Sequence, residues 1–131
     1  MPTIRVVDPQ PVVRHGIGCL LREQLEGAIF IEAGSAGGAL AVVRERNLDL
    51  IILGPDLPGT DGLRLVRELR ARQPRAPILA FTGLTADAFV ERVLRAGAAG
   101  FLSKASPVSE LAATVGCLLT PMPLAERLAR G

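Results

Sequence analysis

The stretch Asp49-Leu50-Ile51-Ile52-Leu53-Gly54-Pro55-Asp56-Leu57-Pro58-Gly59-Thr60-Asp61-Gly62-Leu63 decides the fold. Leu50 to Leu53 run without polar alternation, which suits a parallel strand covered on both faces. Pro55, Pro58 and Gly59 then rule out any regular element and mark a tight loop. Asp61 is placed to cap a helix that carries Leu63, Val66 and Leu69 on one face. A doubly covered strand, a short loop and an amphipathic helix together are the repeating unit of a sheet held between helices.

The same unit recurs in both directions. Towards the amino terminus, Thr3 to Val7 is a short β-branched run ending at Asp8. Pro9 and Pro11 break it and open a helix over Pro11 to Gln24, with Val13, Ile17, Leu20 and Leu21 at helical spacing. Gly27 ends that helix, Ala28 to Ala33 reads as a second strand, and Ser35 caps a helix through Arg46 with Leu40 and Val43 inward. Towards the carboxyl terminus, Pro74 and Pro77 bracket the return to a strand from Ile78 to Thr82. Thr85 is expected to cap a helix that buries Phe89, Val93 and Leu94 and stops at Gly97. Gly100 to Leu102 is a fifth strand, and Ser106-Pro107 signals a last helix. Five strands alternating with five helices specify an α/β fold: an open parallel sheet with helices on both faces. Such sheets place ligands at the carboxyl ends of their strands. That rule points to Asp8, Gly54, Thr82 and the loop after Leu102.

Composition narrows the function. The 131 residues are 49% hydrophobic, enough for one well-filled core. Aromatics are 3%, with no Trp or Tyr, so stacking on nucleic-acid bases is not expected as a mode of binding. A formal net charge of +2 is too small for a nucleic-acid footprint. Arg64, Arg67, Arg70, Arg72 and Arg75 read as a solvated face. No apolar run reaches membrane-spanning length and the amino terminus lacks a signal-peptide layout, so a cytoplasmic protein without membrane contact is expected. Cys19 and Cys117 fall in apolar helical patterns and are read as small buried hydrophobes, at a spacing that matches no metal site. His15 is read as a lone surface residue without a partner.

Four segments together resemble one family. They are Val6-Val7-Asp8-Pro9-Gln10-Pro11-Val12-Val13-Arg14, the opening stretch around Gly54, Ala80-Phe81-Thr82-Gly83, and Gly97-Ala98-Ala99-Gly100-Phe101-Leu102-Ser103-Lys104. In this order they resemble the response-regulator receiver domain, and the last is most similar to the NarL/FixJ branch, whose output is a helix-turn-helix DNA-binding domain. The resemblance implies a flavodoxin-like (βα)5 fold over residues 1–120. Residues 121–131 would form a linker or short helix towards a DNA-binding domain outside this chain, and DNA would be a partner only through that domain. It also implies a phosphorylation site. Asp8 and Pro9 take the places of two adjacent acids, Gly54 the phosphoacceptor, Thr82 the hydroxyl and Lys104 the ammonium that hold phosphate. Phe101 takes the place of the switch aromatic.

The departures from that pattern carry the functional expectation. Aspartyl phosphorylation needs a carboxylate nucleophile and further carboxylates around Mg²⁺. Gly54 has no side chain to phosphorylate. Pro9 removes a metal ligand, so Mg²⁺ binding is expected to be weak or lost, with no other cofactor and no catalytic residue. Asp56 is read as a solvated loop residue, against the alternative that it turns back into the site. Lys104 is expected to pair with Asp8, against the alternative that it points into water. In the last helix, Leu111, Val115, Leu118 and Leu119 belong to an apolar surface larger than one sheet face requires, and an interface, such as a homodimer, is expected there. The expected function is a phosphorylation-independent signalling and dimerisation module of a two-component transcriptional regulator. Three alternatives stay open: a sensor of a small-molecule ligand, a phosphoreceiver that uses Asp56, and an interaction domain that sequesters a partner protein.

Overall fold

Every residue of Leu50–Leu53 is buried, and the strand divides its side chains between two separate cores. Ile51 and Leu53 enter one core and Leu50 and Ile52 the other, as the two-residue repeat of a strand requires. The computed structural model describes residues 2–42 and 47–119. In chain order the elements are β1 (Thr3–Val7), α1 (Pro11–Gln24), β2 (Ile29–Ala33), α2 (Ala36–Val42), β3 (Leu50–Leu53), α3 (Gly62–Arg72), β4 (Ile78–Thr82), α4 (Asp87–Ala96), β5 (Gly100–Ser103) and α5 (Val108–Leu119). All strand pairings are parallel, in the order β2-β1-β3-β4-β5. The α/β architecture expected from the sequence is therefore present.

The two cores lie on opposite faces of the sheet. Ala39 of α2, Leu65, Val66 and Leu69 of α3 and Ala96 of α4 cover one face. Ile17 and Leu21 of α1 and Leu111 and Val115 of α5 cover the other. The loop after β3 is shaped by its glycines. Thr60 N donates to the carbonyl of Leu57, with Pro58 and Gly59 between them and Gly59 at φ +70°, the pattern of a type II turn. A Cβ on Gly62 would lie 1.8 Å from the Pro55 carbonyl oxygen, so only glycine lets the loop close against the start of α3. Asp61 caps that helix, its side chain accepting from the backbone N–H groups of Leu63 and Arg64.

Several local expectations are corrected. Thr85 does not cap α4, which begins at Asp87 with Ala86 at the capping position and no side-chain bond there. Leu94 is 43% exposed; Val93 is buried as expected, Ala96 joins it in the core, and Phe89 is half-buried. The last helix starts at Val108, later than Ser106-Pro107 implied, and β5 extends through Ser103. Cys19 and Cys117 are exposed, not buried. His15 does have a partner, because Cys19 Sγ lies 3.5 Å from its Nε2. Leu111 and Val115 are buried, and Leu118 and Leu119 pack half-buried against the same core, so the helix face expected to be surplus is the one that covers the sheet. Val43 and Arg46, in the second helix as read from sequence, and residues 121–131 lie outside the described residues.

One buried charge was not foreseen. Arg5 on β1 is 1% exposed; its Nη2 donates to the Gly38 carbonyl at 2.6 Å, while Nε and Nη1 have no partner among the described residues. Burial lowers its pKa from the ordinary arginine value, because the charged form is poorly solvated there.

Candidate functional site

The carboxyl ends of β1, β3, β4 and β5 deliver their following residues to one place, and backbone bonds fix the register. Gly54 N donates to the Val7 carbonyl at 2.8 Å, Asp8 N to Ala33 at 3.1 Å, and Lys104 N to Thr82 at 3.0 Å. These bonds continue the sheet one residue beyond its strands, so the site is anchored to the sheet itself.

Asp8 is the centre of the site. Its side chain is 2% exposed, and Lys104 Nζ stands 2.8 Å from its Oδ2. That contact is one of charge: it lacks the direction of a hydrogen bond, and Oδ2 has no other donor among the described residues. Oδ1 accepts from Gln10 N at 2.9 Å across Pro9, a local turn that orients the carboxylate. Arg14 Nη1 donates to the Asp8 carbonyl at 2.6 Å and its Nε pairs with Glu32 at 3.1 Å, which ties α1 to this corner. The ammonium of Lys104 is therefore directed inward, as the ion-pair expectation had it, and not into water.

Gly54 leaves a gap between acids. A Cβ at this position would lie 3.1 Å from Asp8 Oδ2, 3.5 Å from Asp56 Oδ1 and 3.5 Å from the Phe81 carbonyl. Asp56 is exposed, as a loop residue should be, yet its Oδ1 turns back towards the place of the missing side chain. Sequence reasoning favoured the solvated alternative; the geometry combines both. Thr82 is fully buried and its Oγ1 accepts from Leu84 N at 3.1 Å, so the hydroxyl is held by its own loop. Phe101 is half-buried on β5, in register with Ala80.

The side chains here do not fit Mg²⁺. That ion takes near-octahedral oxygen ligation with carboxylates supplying the protein share. Pro9 and Gly54 contribute no oxygen from a side chain, and Asp8 is engaged by Lys104. Among the described residues no group of three or more His, Cys, Asp or Glu is arranged to hold a metal ion. A broad cavity of about 1120 Å³ lies at the other end of the strands, lined by Asp49, Arg70, Pro77, Ala99 and Leu119 among others. None of Asp8, Gly54, Asp56, Thr82 or Lys104 lines it.

A parallel sheet in this strand order, with Asp8, Thr82 and Lys104 gathered at its carboxyl edge, agrees with what comparison finds. The family model described as "Response regulator receiver domain" matches residues 4–116. The chain belongs to the response-regulator receiver domain family. This receiver domain is 44% identical over 103 residues to the transcriptional activator protein ExaE of Pseudomonas putida, covering 79% of this chain and 48% of that protein. Among solved structures, a LuxR-family two-component response regulator from Aurantimonas sp. SI85-9A1 superposes with a TM-score of 0.81 at 34% identity, covering 89% of this chain and 84% of that one. The chemotaxis protein CheY4 of Vibrio cholerae superposes with a TM-score of 0.81 at 25% identity, covering 91% and 99%. The receiver domain spans about half the length of the curated relatives it matches. No helix among the described residues is long and apolar enough to cross a membrane.

Proposed function

We propose that this receiver domain is the regulatory part of a transcriptional response regulator, and that it signals without aspartyl phosphorylation, through self-association. The observation that carries the reading is Gly54 at the end of β3, with Lys104 Nζ held 2.8 Å from Asp8 Oδ2 beside it. In a phosphorylated receiver the ammonium has a phosphoryl group to hold. Here it has a permanent buried carboxylate, so the cation is neutralised in the resting domain. The names of the curated relatives, an activator and several response regulators, support a transcriptional output. That output would reside in a part of the protein beyond this domain, in the cytoplasm where such regulators act.

A second reading rests on Asp56, whose Oδ1 faces the place of the missing side chain. It makes Asp56 a displaced acceptor. The displacement counts against it, because in-line phosphoryl transfer tolerates little misplacement of the nucleophile. Intact mass after incubation with acetyl phosphate and Mg²⁺ separates the two. The native chain is expected to gain no phosphoryl adduct. A hydroxylamine-labile adduct that disappears in Asp56→Asn would overturn the first reading and establish the second.

A further inference from the structure

Two side chains of α1 carry chemistry that the degenerate site does not use. His15 and Cys19 are both exposed, and His15 Nε2 lies 3.5 Å from Cys19 Sγ. Residues four apart share a helix face, so the pair is presented as a unit. Its spacing has a chemical meaning. Zinc bonds of about 2.3 Å to sulfur and about 2.05 Å to nitrogen, opened to the tetrahedral angle, separate the two ligand atoms by about 3.6 Å. His15 and Cys19 thus already have the bite of half a tetrahedral site.

The neighbouring charges leave that half-site open. Arg14 is drawn to Glu32 and the Asp8 carbonyl, and the Arg22 guanidinium lies over the Phe30 ring, 5.1 Å from its centroid. Both cations of α1 are therefore occupied against the β2 side. Glu23, one turn beyond Cys19, is exposed on the same stripe and adds negative charge. No third ligand joins the pair among the described residues of its own chain. A second copy can supply it. Val12, one turn before His15, is 79% exposed, and nothing lies within 4 Å of where a Cβ on Gly16 would be. An exposed valine beside an open glycine lets two helices approach closely about a two-fold axis.

We propose that His15 and Cys19 are half of a zinc-class metal site, completed by His15 and Cys19 of a second copy through their α1 faces. On binding, each thiol loses its proton to solvent and each imidazole gives its Nε2 lone pair, without change of oxidation state. The proposal gives the self-association of the preceding section a face and a trigger, and rests on that part of it.

Cobalt(II) is the probe, titrated into the 131-residue chain. Thiolate-to-cobalt absorption and sedimentation are followed together. Absorption should saturate at one cobalt per two chains while the monomer becomes a dimer, and zinc should displace the cobalt. Both changes should vanish in Cys19→Ser and in His15→Ala and persist in Cys117→Ser. Absorption retained in Cys19→Ser, or saturation at one cobalt per chain without a change in mass, overturns the site. A dimer that forms equally in chelator removes the metal bridge but leaves self-association standing. A monomer under all conditions with no cobalt band removes both.

Discussion

Replacing Lys104 by Met removes the only cation in contact with the buried carboxylate of Asp8 among the described residues. Two charges about 4 Å apart at an effective dielectric of about 20 attract by about 4 kcal/mol. Part of that is recovered in the variant. Lys104 is 25% exposed, so water reaches the vacated position, and Asp8 Oδ1 keeps its bond from Gln10 N. Breaking a fully buried pair costs about 3–5 kcal/mol, and this half-open one should cost about 2 kcal/mol. For a domain of this size that lowers Tm by about 6–8 °C. Urea melts of the parent, Lys104→Met, Asp8→Asn and the double variant form the test. Asn at position 8 still accepts from Gln10 N, so Asp8→Asn chiefly removes the charge. The double variant should lose less than the sum of the singles, by about 1 kcal/mol or more. The backbone bond from Lys104 N to Thr82 survives the substitution, so a shift of Thr82 resonances would report the side chain alone. Unchanged stability in Lys104→Met, or strictly additive singles, would refute the ion pair as the element that fills this site.

Arg5→Met should raise stability by about 1 kcal/mol, because it removes a buried charge with two donors that have no partner among the described residues, at the loss of one bond to Gly38. Since the folded pKa of Arg5 lies below its unfolded value, the parent carries this penalty at all ordinary pH and sheds it only in strong alkali. The advantage of Arg5→Met should accordingly narrow in strong alkali; a variant less stable than the parent in neutral buffer would contradict the account. Glycines should divide by the space around them. Gly62→Ala drives a methyl into the Pro55 carbonyl and should cost more than about 3 kcal/mol or abolish folding. Gly37→Ala, with nothing within 4 Å, should gain about 0.5–1 kcal/mol in a thermal melt.

Local chemistry alone specified much of this protein. The unbroken apolar run of Leu50–Leu53 required a strand covered on both faces, and the prolines and glycines after it required a turn. Asp61 declared the start of α3. The boundaries of β1, α1, β3 and β4 followed from the same short-range rules, because periodicity and caps act within a turn or two of the chain. The alternation of those elements led to the sheet, and the sheet to the carboxyl edge where Asp8, Gly54, Thr82 and the loop after Leu102 would meet; the resemblance then singled out Lys104 in that loop.

What depends on long-range direction stayed hidden. The leucines of α5 read as surplus because a sequence shows how much apolar surface a helix has, not how much of it a neighbouring sheet covers. Cys19 looked buried because its neighbours are apolar, yet the helix turns it outward beside His15, and the four-residue spacing was the signal passed over. Arg5 lies within the apolar run of β1, and nothing in its local sequence marks it as a buried cation bonded to α2. Only the packed fold settled that Lys104 turns inward to Asp8 and that Asp56 leans towards Gly54. Side-chain direction at a loop is chosen by the charges that surround it in space, and the tertiary structure alone brings those charges together.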